Sequence, residues 1–346
     1  IFWRHPDVSP ITWMWSPLPR AAYAAVPAAF LLTGAWRSGR LTWRPRPGER
    51  RRVAAVDVDG KPCGPQSASA GKVTIVSQNM WNSFYAGGPQ REKRLEAFRK
   101  LLETQGKAVE ILVLQEMFAF GLGPFCDKSE VELLQEWTTD LGFVHQTSPL
   151  VTMPWLGQSS GLLICSKEPI LSEQHHVFQQ RRRVTSKGWL EVEVQLASMK
   201  LVIITTHLEH AHSPHWRRIR ESQWREIAER LKVLKDDYVI LLGDFNVCGE
   251  DFGRALDGAE EYHALLSSMA RAGFSHEGFP RSSGSEMPTL RPQNDVSLRS
   301  SPDHIFVSPK LKHRSLTVAL WDMDHLEQIH SDHRAIMATF NGSNAT

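Results

Sequence analysis

Tyr238-Val239-Ile240-Leu241-Leu242-Gly243-Asp244-Phe245-Asn246 is the stretch on which the reading of this chain turns. Residues 239–242 are apolar throughout, too short a run for a helix and the right length for a buried strand. The run ends in a carboxylate and an amide two residues apart. Polar groups at the end of such a strand are unfavourable unless something uses them. The stretch therefore predicts a sheet whose strand end carries chemistry.

Working outward, the same grammar recurs. Residues 73–77, 111–114, 161–165, 189–196, 201–205, 304–307 and 335–340 read as strands. The pair 189–196 and 201–205 reads as a hairpin turning at 197–200. Residues 91–103 and 216–235 read as amphipathic helices. The first puts Leu95, Phe98, Leu101 and Leu102 on one side, and the second turns Ile219, Ile227, Leu231 and Leu234 inward. Alternation of strands and helices predicts an α/β fold. Polar residues follow several strand ends: Asn79, Glu116, His207, Asp244 with Asn246, and Asp332 with His333. A rigid sheet holds ligands and catalytic groups at such places.

Composition narrows the class. The chain has 346 residues, 41% hydrophobic and 23% charged, which supports a large core. Cys63, Cys126, Cys165 and Cys248 form no C-x-x-C pair, so neither a disulfide framework nor a structural zinc site is expected. The net charge of +2 hides a split. Residues 1–52 carry nine Arg against Asp7 and Glu49, and the remainder carries 31 bases against 36 acids. An acidic body argues against a general nucleic-acid binder.

The basic head, residues 1–52, holds an uncharged stretch at 21–36. As a helix it would span about 24 Å, short of a bilayer core of roughly 30 Å. Trp13, Trp15, Trp36 and Trp43 flank it, where interfacial aromatics sit, and seven Arg fall between 37 and 52. The head is expected to be a membrane-associated or targeting segment, with the domain downstream on the cytosolic side. The chain begins at Ile1, so sequence upstream of it is expected. Residues 53–71, rich in Gly, Pro and Ser, read as a linker, leaving 72–341 as the catalytic domain. The sequons at Asn341 and Asn344 conflict with a cytosolic domain and carry little weight, because such triplets arise often by chance.

Together the strand-end residues compose a set for cleaving phosphodiesters. A hard cation, magnesium or manganese, would take carboxylate oxygen from Glu116 with Asn79 beside it. His333 can take a proton from water if a carboxylate orients it, and Asp303 is one candidate for that role. His207 and Asn246 can donate hydrogen bonds to charge growing on phosphorus. Asp244 can position the attacking water or a second metal ion. The histidines at 207, 210, 212 and 215 lack the spacing of a helical zinc pair, and only His207 is given a role.

In their order, the segments VSQNM, LVLQE, TTHL, ILLGDFN, SPDHIF and SDHRAI resemble the exonuclease–endonuclease–phosphatase superfamily, over residues 73–340. The resemblance implies a four-layer α/β/β/α sandwich. GQSSGLLICSKEPI (157–170), VTSKGWLEVEV (184–194), VILLGDFNVCGEDFG (239–253) and SDHRAIMATF (331–340) resemble the neutral sphingomyelinase branch, as do Gln223 and Glu226. That branch implies a magnesium-dependent phosphodiesterase releasing ceramide and phosphocholine. Carried over, Glu116 is the metal ligand supported by Asn79, and His333 is the base with Asp332 beside it. Asp244 and Asn246 lie at the phosphate, and His207 stabilises the transition state. Asp303-His304 stands where the family usually has Asp-Tyr. Lys187 either binds phosphate or is a solvated lysine before Gly188.

Two apolar, Gly- and Pro-interrupted loops bear on substrate. Residues 118–125 contain Phe120, and 150–156 contain Trp155. Neither reads as a regular element, and contact with a lipid surface is expected from at least one. A nuclease would sooner place Arg and Lys there. The run Arg181-Arg182-Arg183 could meet phosphate, an anionic lipid or water. The alternative function is a nuclease or other phosphodiesterase of the same superfamily. A non-catalytic module is disfavoured because every member of the set is present.

Overall fold

Residues 238–244 form a strand in the interior of a sheet, flanked on both sides by other strands. The structure is a computed structural model describing residues 50–52, 71–82, 91–122, 125–127, 129–149, 157–182, 185–211, 213–248, 256–277, 301–321 and 331–342. The stretch 21–36, nearly all of the head and linker, and Trp155 lie outside the described residues, as does the side chain of Phe120. Among the described residues no helix is long and apolar enough to cross a membrane.

Strands are numbered along the chain. One sheet has the order β1 (Arg50–Arg52), β9 (Ile170–Val177), β10 (Gly188–Gln195), β11 (Lys200–His207), β12 (Tyr238–Asp244), β14 (Asp303–Val307) and β13 (Ser275–His276). The second has the order β15 (Thr317–Leu320), β16 (Ile336–Asn341), β2 (Lys72–Asn79), β3 (Ile111–Gln115), β8 (Leu163–Ser166) and β6 (His145–Gln146). Both are mixed. β11 and β12 are parallel, with the helix Pro214–Leu234 between them in sequence, and β2 and β3 are parallel, with the helix Arg91–Gln105 between them.

Three apolar layers account for four layers of structure. Along β11 and β12, Leu201, Ile203, Ile240 and Leu242 face one way, and they pack with Ile75, Val113, Ile336 and Phe340 of the second sheet. Their alternates Val202, Ile204, Val239 and Leu241 face the other way, against Trp224, Ile227 and Leu231 of the helix Pro214–Leu234 and Leu265 and Met269 of the helix Leu256–Arg271. On the far side, Leu112 and Leu114 meet Leu95, Phe98 and Leu101 of the helix Arg91–Gln105 and Val131 and Leu134 of the helix Ser129–Asp140. Successive side chains of a strand point to opposite faces, so a strand covered on both sides must be apolar at every position. That is why residues 239–242 look as they do. Each aliphatic side chain so buried contributes about 1.5–3 kcal/mol.

The strands extend further than the apolar runs. β2, β11 and β12 end on Asn79, His207 and Asp244, so these polar residues occupy the last rungs of the sheets and are not in loops. The segment 118–125 also differs from the irregular loop expected. It contains β4 (Phe120–Leu122) and the start of β5 (Phe125–Asp127), which form a small sheet with β7 (Gly157–Gln158). Backbone pairing holds that sheet, which apolar periodicity does not register.

Candidate active site

The ends of the central strands of both sheets meet. His207 of β11 lies opposite Asp244 of β12, and Asp244 lies opposite Asp303 of β14, so one rung carries all three. In the second sheet Asn79 pairs with Gln115, which places Glu116 just beyond the strand end. Asn79 joins the sheets. Its Nδ2 donates to Asp244 Oδ2 at 2.9 Å and to Glu116 Oε1 at 3.2 Å, while its Oδ1 accepts from the Trp81 amide at 2.9 Å. Asn79 therefore turns its amide nitrogen to the carboxylates and supports Glu116 as a hydrogen-bond donor.

The backbone is bent to aim these groups. Glu116 and Asn246 have φ of 59° and 52°, a conformation that costs a non-glycine residue about 1 kcal/mol or more. Gly243 has φ of +143°, and a Cβ there would lie 2.3 Å from the carbonyl oxygen of Thr206. Glycine lets β12 approach β11 closely just before Asp244.

His333 reaches the same place from the turn before β16. Its Nδ1 pairs with Asp303 Oδ2 at 2.9 Å, and its Nε2 lies 3.9 Å from Asp244 Oδ2. Two residues not singled out from the sequence pin this turn. Ser331 Oγ donates to the Asn79 carbonyl at 2.6 Å and accepts from the His333 amide at 3.0 Å. Gln78 Nε2 donates to the His333 carbonyl at 3.2 Å. The only available signal for either was its position beside a residue already chosen.

Burial sets the electrostatics. It raises the carboxyl of Glu116 above the usual range, opposed by the Asn79 hydrogen bond. It pushes Asp244 up to about 7, against the pull of His333 and with a contribution from Asp303. Asp332 is raised for the same first reason, and its Oδ1 is buried without a hydrogen-bond partner. His333 goes the other way. Burial disfavours its charged form, yet Asp303, then Asp244 and Asp332, lift it to about 10. His207, buried beside Lys187, is held well below its ordinary value and is neutral at pH 7. Its Nε2 stands 3.6 Å from Asp244 Oδ2 and 3.9 Å from Glu116 Oε1.

These residues fit a divalent cation. Asp244, Asp303 and His333 offer ligand atoms within 4.8 Å of one another, and Glu116 joins the group through Asn79. Burial opposes the charge of Glu116, Asp244 and Asp332, and Asp332 Oδ1 is buried without a hydrogen-bond partner. Oxygen donors in negative excess are what hard cations select.

Lys187 is 4% exposed, so it is no solvated lysine. Its Nζ donates to the Leu208 carbonyl at 2.6 Å, and Asn246 Nδ2 donates to the same oxygen at 3.0 Å. Asn246 is further tied by its amide, which donates to Asp244 Oδ1 at 2.8 Å. The structure thus gathers Asn79, Glu116, His207, Asp244, Asn246, Asp303, Asp332, His333 and Lys187 around the strand ends of the two sheets.

A model described as the Endonuclease/Exonuclease/phosphatase family matches residues 76–333, well over half of the chain. No curated protein sequence matches this chain. Among solved structures, a beta toxin mutant from Staphylococcus aureus with bound magnesium ions is similar at 19% identity and a TM-score of 0.58, over 77% of this chain and 99% of that one. Sphingomyelinase C from Streptomyces griseocarneus is similar at 16% identity and 0.58, over 78% and 99%. A humanized TDP2 from D. rerio is similar at 18% identity and 0.56, over 79% and 100%. At these identities the likeness is one of fold.

Proposed function

The chain belongs to the endonuclease/exonuclease/phosphatase family, and we propose that it is a magnesium- or manganese-dependent phosphodiesterase that hydrolyses sphingomyelin, or a related sphingophospholipid, to ceramide and phosphocholine. The observation that carries the chemistry is the shared rung His207–Asp244–Asp303, bonded through Asn79 to Glu116 and through Asp303 to His333. Glu116, with Asp244 nearby, is the carboxylate set that would hold the cation. When bound there, a divalent cation supplies charge that offsets a phosphoryl oxygen and the leaving alkoxide.

The residues divide the remaining work. Asp303 fixes the His333 ring through Nδ1, which leaves Nε2 to take the proton from water. With three carboxylates around it the ring is protonated at pH 7, so it serves as base once their charge is offset. His207, neutral, donates a hydrogen bond to the phosphoryl oxygen without surrendering a proton. Lys187 meets the phosphate as a buried cation. Asp244 orients the water.

The lipid reading is supported by the 157–170 and 184–194 segments, by an acidic body poorly suited to a polyanion, and by the apolar segments holding Phe120 and Trp155. On the same reading, the basic, Trp-rich residues ahead of β1 bring the enzyme to a membrane surface, with the catalytic domain on the cytosolic side; Arg50–Arg52, expected in that head, pair with β9 instead. The test offers the purified chain, with magnesium or manganese, sphingomyelin micelles, phosphatidylcholine, lyso-lipid and plasmid DNA in parallel. Turnover of sphingomyelin is expected. Turnover of DNA alone would replace the lipid reading by that of a nuclease.

A further inference from the structure

Glu209 is a carboxylate with no exposure at all, and the chemistry above gives it no task. Ionised groups in such positions are costly and persist where they are paired and used. Glu209 is tied at every end. Its amide donates to Gln223 Oε1 at 3.1 Å, and its carbonyl accepts from Arg220 Nη1 at 3.0 Å. Its side chain accepts the Arg182 amide on Oε1 at 3.0 Å and faces Arg182 Nε from Oε2 at 3.3 Å. Behind it, Arg220 forms a two-pronged pair with Glu261 at 2.8 and 2.9 Å, and Gln223 holds the Gln180 carbonyl at 2.9 Å. In front, Arg182 lies over the Trp216 ring, 4.5 Å from its centre.

The frame fixes the residue next door. The Leu208 amide donates to the Asp244 carbonyl at 2.9 Å, and the Leu208 carbonyl is where Lys187 and Asn246 converge. Among the described residues the Lys187 ammonium has no other hydrogen-bond partner, so two of its three N–H groups remain for an anion. Burial pulls the Lys187 ammonium below its ordinary range, and of the charges that oppose this Glu209 is the foremost, ahead of Asp244 and Glu116.

We propose that Glu209 is a positioning residue: with its carboxylate held by Arg182 and its backbone held by Arg220 and Gln223, it fixes the neighbouring Leu208 carbonyl on which the Lys187 ammonium sits, so that the remaining N–H groups of Lys187 are aimed at the phosphate. This rests on the phosphodiesterase reading and not on the lipid. A purely structural tie between the 178–187 and 208–211 segments would use the same bonds but would be indifferent to Lys187.

A double-mutant cycle separates the two. Glu209→Gln keeps the size, the acceptor for the Arg182 amide and both backbone bonds, so the fold is retained. Turnover of bis(4-nitrophenyl) phosphate and of sphingomyelin micelles is measured with magnesium for wild type, Glu209→Gln, Lys187→Ala and the double variant. Affinity for inorganic phosphate is measured by calorimetry in the same four proteins. We expect Glu209→Gln to lose about ten- to a hundredfold in kcat/KM and to weaken phosphate binding, with no further loss when Lys187 is already Ala. Additive losses, or a lowered Tm with kcat and KM unchanged, would overturn the proposal. So would a wild type that does not bind phosphate. Turnover of the aryl diester without sphingomyelin would count against the lipid alone and leave the cycle decisive for Glu209.

Discussion

Asp303→Asn keeps the shape of the side chain and removes the charge that bonds His333 Nδ1 at 2.9 Å. In the wild type the ring sits at about 10 although burial opposes its charge, with Asp303 the foremost of three carboxylates lifting it. Losing an opposite charge at this range lowers the ring by about 1–3 units. To act as a base the ring must be neutral. The acid limb of kcat/KM moves to lower pH, while the plateau falls by about 10²–10⁴ as the ring loses its fixed tautomer. A ring raised above its ordinary 6.5 contributes stability that is complete below 6.5 and lost as pH rises through about 10. The variant should therefore melt below the wild type at pH 6, and the gap should close toward pH 10. The assays are bis(4-nitrophenyl) phosphate hydrolysis with saturating magnesium from pH 5 to 10, and thermal melting in chelator. An acid limb that stays put or rises, or a melting gap that widens with pH, would refute the reasoning.

Three other outcomes are expected. Asp244, raised from 3.8 to about 7, contributes stability present below 3.8 and lost as pH rises through 7, so magnesium should raise Tm more at pH 8 than at pH 5; equal gains would reject the cation site. Glu116→Gln should raise the magnesium needed for half-maximal activity about tenfold or more, yet melt no lower than wild type in chelator, since burial already disfavours the carboxylate. Gly243→Ala should destabilise by about 2–3 kcal/mol or more, because its Cβ meets the Thr206 carbonyl oxygen at 2.3 Å; a wild-type melting curve would show that β11 and β12 can part without penalty.

What the sequence disclosed, and what it did not, follows from the kind of force involved. β3 and β12 were readable because strands buried on both faces must be apolar at each position. β9 was not, because Ser172, Glu173, Gln174 and His175 carry no apolar period, although Glu173 and His175 are buried. The helices Ser129–Asp140 and Leu256–Arg271 were not legible either, although both cover sheets whose strands were. Asp244 and His333 announced themselves by standing at strand ends. Whether Asp303 serves His333 was open until the 2.9 Å contact placed them together. Gln78 and Ser331 were invisible because they act on backbone carbonyls and amides, which every residue possesses.

The meeting of two sheets at Asn79 has a consequence for how the molecule comes into being. Asn79 and Asp244 are 165 residues apart in sequence, and Gln78 and the His333 carbonyl it holds are 255 apart. Helices and hairpins such as β10–β11 close short loops and form early, whereas contacts of this span must wait for the loops between them to be gathered in. The catalytic row is therefore expected to form late, with the other long-range pairings of the sheets. Recovered activity in a refolding experiment should trail recovered secondary structure, and an incomplete chain should capture no cation. Phosphodiester chemistry would then be switched on only by completion of the fold, and a chain still being made would lack it.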